Sequence, residues 1–152
     1  NAMAANTDTK VCILRISAPY GPNLGSETVI SRFLRQGGGN KPVTLLGTGA
    51  RSQDFVYQDD VADAFYKAIF HNAVGTFNIS GNQPVSMRKL AEVILGIFGK
   101  KRDEGIILKG VDSQESYRGW FPITSAAHSF GFVPEIKLEE GLRRTAREWG
   151  LI

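Results

Sequence analysis

The sequence Gly47-Thr-Gly-Ala-Arg-Ser-Gln-Asp-Phe-Val-Tyr-Gln-Asp-Asp-Val-Ala62 places a glycine-punctuated turn before a short strand that ends in two aspartates. Aspartates of this kind are favoured where a helix begins, so the stretch predicts a turn, a strand and a helix in succession. This order puts a loop arginine, Arg51, and a strand aspartate, Asp54, at one end of a sheet. An anionic ligand at that end would meet side chains held on a rigid scaffold.

The composition is that of an ordinary globular protein, with 152 residues, 42% hydrophobic residues, a mean hydropathy of −0.14 and a formal net charge of +3. The length predicts one domain. The 18 basic residues form no dense stripe, which argues against nucleic-acid binding. No apolar run approaches the roughly 20 residues of a membrane span, and no signal peptide is recognisable. We therefore expect a cytoplasmic protein without a membrane partner.

Cysteine and histidine are too sparse to predict a metal site. The single cysteine, Cys12, excludes an internal disulfide and a cysteine-rich zinc site. It lies in an apolar run, where a buried position is expected. His71 and His128 have no partner residue at the spacing of metal ligands.

Apolar spacing and turn residues predict an α/β chain. Residues 11–17 read as a strand buried on both faces, whereas residues 18–25, with two prolines and two glycines, are predicted to form a loop. Ser26 is expected to cap the next helix, and Asp59 or Asp60 the one after it. The remaining elements are predicted as strands at 43–46, 54–57, 76–80 and 106–108, helices after 60, from Ser86 and from about Leu138, and an irregular segment at 111–134. The helix after residue 60 is expected to bury Val61, Ala64, Phe65, Ala68 and Ile69.

Five segments resemble, in the same order, the C-terminal portion of extended short-chain dehydrogenases/reductases of the NAD-dependent epimerase/dehydratase family. They are Leu-Arg-Ile-Ser-Ala-Pro-Tyr-Gly-Pro at 14–22, the stretch at 47–62, Gly-Thr-Phe-Asn-Ile-Ser-Gly at 75–81, Val-Ser-Met-Arg-Lys-Leu at 85–90 and Gly-Phe-Val-Pro-Glu-Ile-Lys-Leu-Glu-Glu-Gly-Leu at 131–142. The resemblance covers residues 10–152. It implies the last strands of a Rossmann-type sheet with a small α/β substrate domain, the N-terminal dinucleotide-binding strands being missing. Residues 4–152 are taken as this portion, because residues 1–3 resemble a tag remnant.

The chemistry of that family depends on two elements that this sequence lacks. No glycine-rich G-x-G-x-x-G or G-x-x-G-x-x-G turn is present to hold the pyrophosphate of NAD. No lysine stands four residues after Tyr20, Tyr57, Tyr66 or Tyr117, so there is no Tyr-x-x-x-Lys acid/base pair. We therefore assign no catalytic residue, and we expect NAD to be bound by a full-length parent and not by this chain alone.

The resemblance implies roles for a strand-to-loop segment and for part of the core. Ser17, Pro19 and Tyr20 would lie beside the nicotinamide, although the proline-rich run also serves simply as a turn. Ala18 takes the position of an asparagine that commonly bonds the substrate diphosphate in the family, which argues against a standard diphosphate contact there. Three further residues would line the nucleotide pocket, and core packing accounts for them as well: Val29, Phe33 and Leu45.

The resemblance also implies phosphate-binding arginines. Many members carry an arginine directly before the strand aspartate, but here that position is Gln53 and the arginine, Arg51, stands two residues earlier. Arg51 either takes over the phosphate contact, for which its planar fork is suited, or is solvated. Arg118 falls where the family often has a second such arginine. Asp54 is expected to be a structural hydrogen-bonding residue.

The sequence is thus interpreted as a fragment of a NAD-dependent nucleotide-sugar epimerase or dehydratase that supplies the wall of the sugar-nucleotide site and is inactive alone. One alternative is a non-catalytic binding or interaction domain that retains the fold. Another is part of a superfamily reductase acting on a smaller substrate, which Ala18 and Gln53 would permit. Because the strand at 11–17 is expected to lack an upstream neighbour, its free edge predicts a homodimer or a larger species.

Overall fold

A computed structural model of the chain describes residues 9–23, 25, 27–39, 41–101 and 105–152. The expectations for residues 1–3 and for Ser26 as a helix cap lie outside these residues.

The described strands form three small sheets in which parallel pairing predominates. β1 (Cys12–Ile16) pairs with β5 (Gly75–Ile79), β2 (Ala18–Tyr20) with β4 (Ser52–Tyr57), and β3 (Val43–Leu46) with β7 (Ile106–Lys109), all in parallel. β6 (Pro84–Ser86) adds to β4 in the antiparallel direction. The helices are α1 (Val29–Gly38), α2 (Gln58–Phe70), α3 (Met87–Ile97), α4 (Thr124–Phe130) and α5 (Leu138–Glu148). Parallel strands joined through helices confirm the predicted α/β class.

Strand β4 separates two hydrophobic clusters. Because successive side chains on a strand point to opposite faces, Phe55 and Tyr57 enter one cluster and Val56 enters the other. The first cluster is built mainly from α1, α3 and α5, with Phe33, Leu34, Leu90, Ile94 and Leu142 among its fully buried members. The second lies between α2, α4 and β5 and includes Ala64, Phe77, Ile79, Phe130 and Phe132.

Helix starts agree only partly with the prediction. Ser86 caps α3 as expected, since its hydroxyl accepts a hydrogen bond from Lys89 N at 3.1 Å. The prediction that Asp59 or Asp60 caps α2 is wrong, because the N-cap residue is Tyr57 and makes no side-chain cap bond. Both aspartates lie in the first turn of α2 instead, where a negative charge suits the helix dipole.

Strand β1 and the outer face of α2 are more exposed than predicted. Cys12 is exposed, and Ile13 retains 41% of its accessible surface, so the expectations of a doubly buried strand and a buried cysteine are wrong. Among the described strands β1 has only β5 as a neighbour, which leaves its other edge free. On α2 the predicted inward residues Phe65 and Ile69 are exposed, Ile69 by 76%, whereas Ala64 and Ala68 are buried as expected.

Three elements were not predicted from the sequence. Residues 18–20, assigned to a loop, form β2, and the three residues of β6 were not recognised as a strand. The segment 111–134, predicted to be irregular, contains α4, which ends at Gly131 in the left-handed conformation with φ of 69°. The last helix begins at Leu138 as predicted, and its early glutamates pair with arginines one turn later, Glu139 with Arg143 and Glu140 with Arg144.

Candidate functional site

A cavity of about 460 Å³ lies between β2, the start of α1 and the first half of β4. Its lining residues are Ala18, Pro19, Tyr20, Gly25, Thr28, Val29, Ile30, Arg51, Gln53 and Phe55. Six of the ten residues that the sequence indicated as binding residues therefore meet around one space. They come from β2, from the start of α1 and from the turn and strand at 51–53.

The pairing of β2 with β4 fixes one wall of the cavity. Ala18 lies opposite Phe55, and Tyr20 lies opposite Tyr57 in the parallel register. Tyr20 is only 3% exposed, and its hydroxyl donates a hydrogen bond to the carbonyl of Leu138 at 3.2 Å. Burial raises the pKa of Tyr20, so its phenol stays neutral at physiological pH. Tyr20 therefore stabilises the cavity wall by joining β2 to the start of α5.

Arg51 reaches the same cavity from the turn before β4, and the segment after β7 holds its side chain. Its Nε lies 3.4 Å from Oδ2 of Asp112, whose side chain is 7% exposed. Its Nη1 donates to Oε1 of Gln114 at 3.0 Å, and the backbone N–H of Gln114 donates to Asp112 at 2.9 Å. The guanidinium carries five N–H donors, so these contacts orient Arg51 without using all of its donors.

The turn that carries Arg51 is fastened to the segment 112–119. Gly47 and Gly49 adopt positive φ angles of 57° and 75°, which residues other than glycine rarely adopt. The backbone N–H of Thr48 donates to Oε1 of Glu115 at 2.6 Å, and its hydroxyl donates to the same oxygen. These two donors lower the pKa of Glu115. Ser52 continues the connection, since its N–H donates to Tyr117 O and its carbonyl accepts from Gly119 N, each at 3.0 Å.

The other predicted site residues are placed differently. Phe33 and Leu45 are each 1% exposed and belong to the first hydrophobic cluster. Arg118 forms an isolated bridge with Ser52, and its guanidinium donates to the carbonyls of Glu115 and Tyr117 at 2.7 and 3.0 Å. The donors of Arg118 are thus turned toward its own segment.

A smaller cavity of about 130 Å³ adjoins the first, and Ala18 and Gln53 line both. The other lining residues of the smaller cavity are Ile16, Ser17, Asp54, Tyr117, Gly119 and Phe121. Ser17, predicted to lie beside the nicotinamide, is thus placed in this second space. Asp54 is 1% exposed. Burial raises its pKa, and nearby donors, including Ser80 and the N–H of Gln83, act in the opposite direction.

Sequence reasoning missed the residues that hold Arg51 and its turn, namely Asp112, Gln114 and Glu115. They lie more than 60 positions further along the chain, in the segment predicted to be irregular. No local pattern connects them to Arg51. The only sequence signal was the uninterrupted polar run Asp-Ser-Gln-Glu-Ser at 112–116 within that segment.

Two features, a metal-binding cluster and a membrane-spanning helix, are not found among the described residues. Within them no three His, Cys, Asp or Glu side chains gather in a way that could hold a metal ion. No helix in the described ranges has the length and apolar character needed to cross a membrane.

Comparison with known proteins identifies the family. Residues 1–80, more than half of the chain, match the model of the NAD dependent epimerase/dehydratase family. The chain is 28% identical over 137 residues to a UDP-glucuronate 4-epimerase of Thermodesulfobacterium geofontis, with 89% of this chain and 42% of that protein covered. It is 30% identical over 144 residues to the mouse (Mus musculus) dTDP-D-glucose 4,6-dehydratase, with 91% and 40% covered. The chain thus spans about 40% of the length of these curated relatives.

Solved structures match over nearly the whole chain. The UDP-glucose 4-epimerase of Thermotoga maritima with UDP-glucose has a TM-score of 0.83 and 26% identity, over 97% of this chain and 48% of that chain. The UDP-glucuronic acid 4-epimerase of Bacillus cereus in complex with UDP-glucuronic acid and NAD has a TM-score of 0.80 and 25% identity, over 97% and 48%. Both findings agree with the resemblance that the five sequence segments indicated. The chain belongs to the NAD-dependent epimerase/dehydratase family.

Proposed function

We propose that this chain supplies the wall that binds the diphosphate and the sugar of a nucleotide sugar, as part of a NAD-dependent epimerase or dehydratase. The observation that carries the proposal is the cavity of about 460 Å³ in which Arg51, Gln53 and Val29 line one space. A guanidinium at the wall of a largely apolar cavity suits a ligand with a phosphate group and a flat base. The relatives, a UDP-glucuronate 4-epimerase and a dTDP-D-glucose 4,6-dehydratase, support this class of ligand.

Ala18 bears on which side chain of the cavity contacts the phosphate. Ala18 offers no side-chain donor at the position where the family commonly has an asparagine, so the phosphate contact falls to Arg51. The ion pair with Asp112 neutralises part of the arginine charge. Nη1 donates to Gln114, and we propose Nη2 as the main donor to the phosphate.

We propose that NAD serves the parent enzyme, as it is bound in the Bacillus cereus relative. The residues of this chain do not fit the pyrophosphate of NAD, because the sequence has no glycine-rich strand-to-helix turn. It also has no Tyr-x-x-x-Lys pair. We therefore propose binding of the nucleotide sugar by this chain without turnover.

Titration calorimetry with UDP tests the proposal. Replacing Arg51 by Gln should weaken UDP binding about 10- to 100-fold, because a hydrogen bond to a charged group contributes roughly 1.5–3 kcal/mol. Arg143→Gln is the matched control, since Arg143 is paired with Glu139 on the exposed side of α5 and should leave binding unchanged. The same samples, supplied with NAD and UDP-glucose, should show no epimerisation. Failure of the wild-type chain to bind UDP, or equal losses in both variants, would refute the proposal.

We also propose that the chain self-associates through the free edge of β1. β5 is its only described strand neighbour, and the exposed apolar side chains of Ile13, Phe65 and Ile69 lie on β1 and on α2 beside it. An unpaired strand edge next to an apolar surface is a template for association with a second copy. Light scattering should give at least a dimer for the wild type. Ile13→Lys should shift the mass toward the monomer, and a monomeric wild type at high concentration would contradict this proposal.

A further inference from the structure

The smaller cavity contains two buried polar atoms whose hydrogen-bonding capacity is unused. Asp54 Oδ1 accepts a hydrogen bond from Gln83 N at 3.4 Å, and Ser80 and the backbone N–H groups of Gly81 and Phe121 also favour the charged carboxylate. Within the described part of the chain, Oδ2 nevertheless has no partner at hydrogen-bonding distance and angle. Ser17 Oγ, which lines the same cavity, is likewise buried and unpartnered among those residues. Buried polar atoms nearly always have a partner, so two unpartnered atoms on one cavity wall indicate that a ligand or water completes them.

The chemistry of the two atoms restricts the group that fits. A carboxylate oxygen only accepts hydrogen bonds, so the missing partner of Asp54 must be a donor. The hydroxyl of Ser17 both donates and accepts. A phosphate or a carboxylate would be repelled by Asp54, and it would lose its hydration against the walls of Ile16 and Phe121. A neutral hydroxyl group carries no charge that Asp54 would repel, supplies the donor that Asp54 lacks and can pair with the hydroxyl of Ser17.

The smaller cavity lies beside the larger one, so one ligand with a phosphate and a hydroxyl group can occupy both. Ala18 and Gln53 form the partition that both cavities share. Arg51 lines the larger cavity from the turn before β4, and Asp54, within β4, follows it by three residues. A molecule with a phosphate at Arg51 could therefore place a neighbouring hydroxylated ring against Asp54. The volume of about 130 Å³ is more than one water requires.

We propose that Asp54 and Ser17 form a subsite that recognises one hydroxyl group of the sugar of the bound nucleotide sugar. This assignment rests on the proposed function and adds a specificity-determining residue to it. A site built to receive a hydroxyl discriminates strongly against an analogue that lacks it, because the buried polar atoms then remain unpaired. Asp54 would thus select among sugars, while Arg51 holds the phosphate that all of them share.

The test is a thermodynamic cycle between the ligand and the protein. Binding of UDP, UDP-glucose and a panel of UDP-deoxyglucoses, each lacking one hydroxyl, is measured by calorimetry for the wild type, Asp54→Asn, Ser17→Ala and Asp63→Asn. Asp63 is the matched control, since its exposed carboxylate pairs with Lys67 on α2. Circular dichroism establishes that each variant is folded. Should Asp54→Asn fail to fold, Ser17→Ala carries the same cycle.

Subsite recognition predicts that one deoxy analogue binds the wild type about 10- to 100-fold more weakly than UDP-glucose. That difference should shrink to near unity in Asp54→Asn and should decrease in Ser17→Ala. UDP itself should bind both variants and Asp63→Asn as it binds the wild type. If UDP binds but no hydroxyl matters, or if Asp54→Asn weakens all ligands equally, the subsite is refuted while the phosphate wall stands. If UDP does not bind the wild type, the proposed function fails and the subsite fails with it.

Discussion

The carboxylate of Asp60 is predicted to stabilise the fold, because it joins the start of α2 to the segment that precedes α5. It accepts hydrogen bonds from the N–H of Glu135 at 2.9 Å and from the N–H of Ile136 at 3.2 Å. Asp60 is almost completely buried, and replacing it by Ala leaves both N–H groups without an acceptor. Each hydrogen bond to a charged group contributes roughly 1.5–3 kcal/mol, so the loss of two costs roughly 3–6 kcal/mol before the cost of burying the carboxylate is subtracted.

Burial of the Asp60 carboxylate offsets part of the stability that its hydrogen bonds provide. It raises the pKa of Asp60, which means that the folded protein disfavours the charged carboxylate, while the two N–H donors favour it. Burial therefore offsets part of the loss of the two hydrogen bonds, and we expect Asp60→Ala to lower the free energy of unfolding by about 2 kcal/mol. With a urea m-value of about 2 kcal/mol/M, the midpoint should fall by about 1 M.

The neighbouring Asp59 provides the control. It also lies in the first turn of α2, but its side chain is 56% exposed and it forms an ion pair with Arg144 at 3.6 Å. Asp59→Ala should cost less than about 1 kcal/mol, as is usual for exposed ion pairs. Urea unfolding followed by circular dichroism gives both values. Equal midpoints for the two variants would show that the contact with residues 135 and 136 does not stabilise the fold, and would refute the reasoning.

Two further predictions concern a close approach between helix and sheet and a buried charge. Gly141→Ala should lower the melting temperature although Ala favours helices, because the new methyl group would collide with Tyr20 Oη. Gly96→Ala meets no atom within 4 Å and should raise stability by up to about 1 kcal/mol; a stabilised Gly141→Ala would contradict this account. Burial raises the pKa of Asp54, so the folded protein binds the proton of this carboxyl more tightly than the unfolded chain does. The resulting contribution to stability is fully present below the unfolded pKa of about 3.9 and is lost as pH rises through the folded pKa. In urea melts from pH 4 to 7, wild-type stability should therefore fall relative to Asp54→Asn but not relative to Asp63→Asn, and a constant difference would contradict it.

Local patterns in the sequence were sufficient where the interactions are local. The cap of α3 at Ser86 and the i, i+4 pairs of α5 depend on residues three or four positions apart, so their spacing can be recognised directly. The α/β class followed from apolar runs, and the family followed from five ordered segments. The predicted loop at 18–20 failed because Pro19 and Gly21 suggest a turn, whereas parallel pairing with β4 holds these residues extended.

The sequence by itself determined the class of the fold, the family, and the presence of Arg51 before β4 in place of an arginine at Gln53. Only the tertiary structure decided which polar groups face the two cavities. Asp60 was expected to cap a helix but binds the backbone of residues 135 and 136, and Arg51 is held by Asp112. The physical reason is that these contacts join groups more than 60 residues apart, and their partners are brought together only when the whole chain packs.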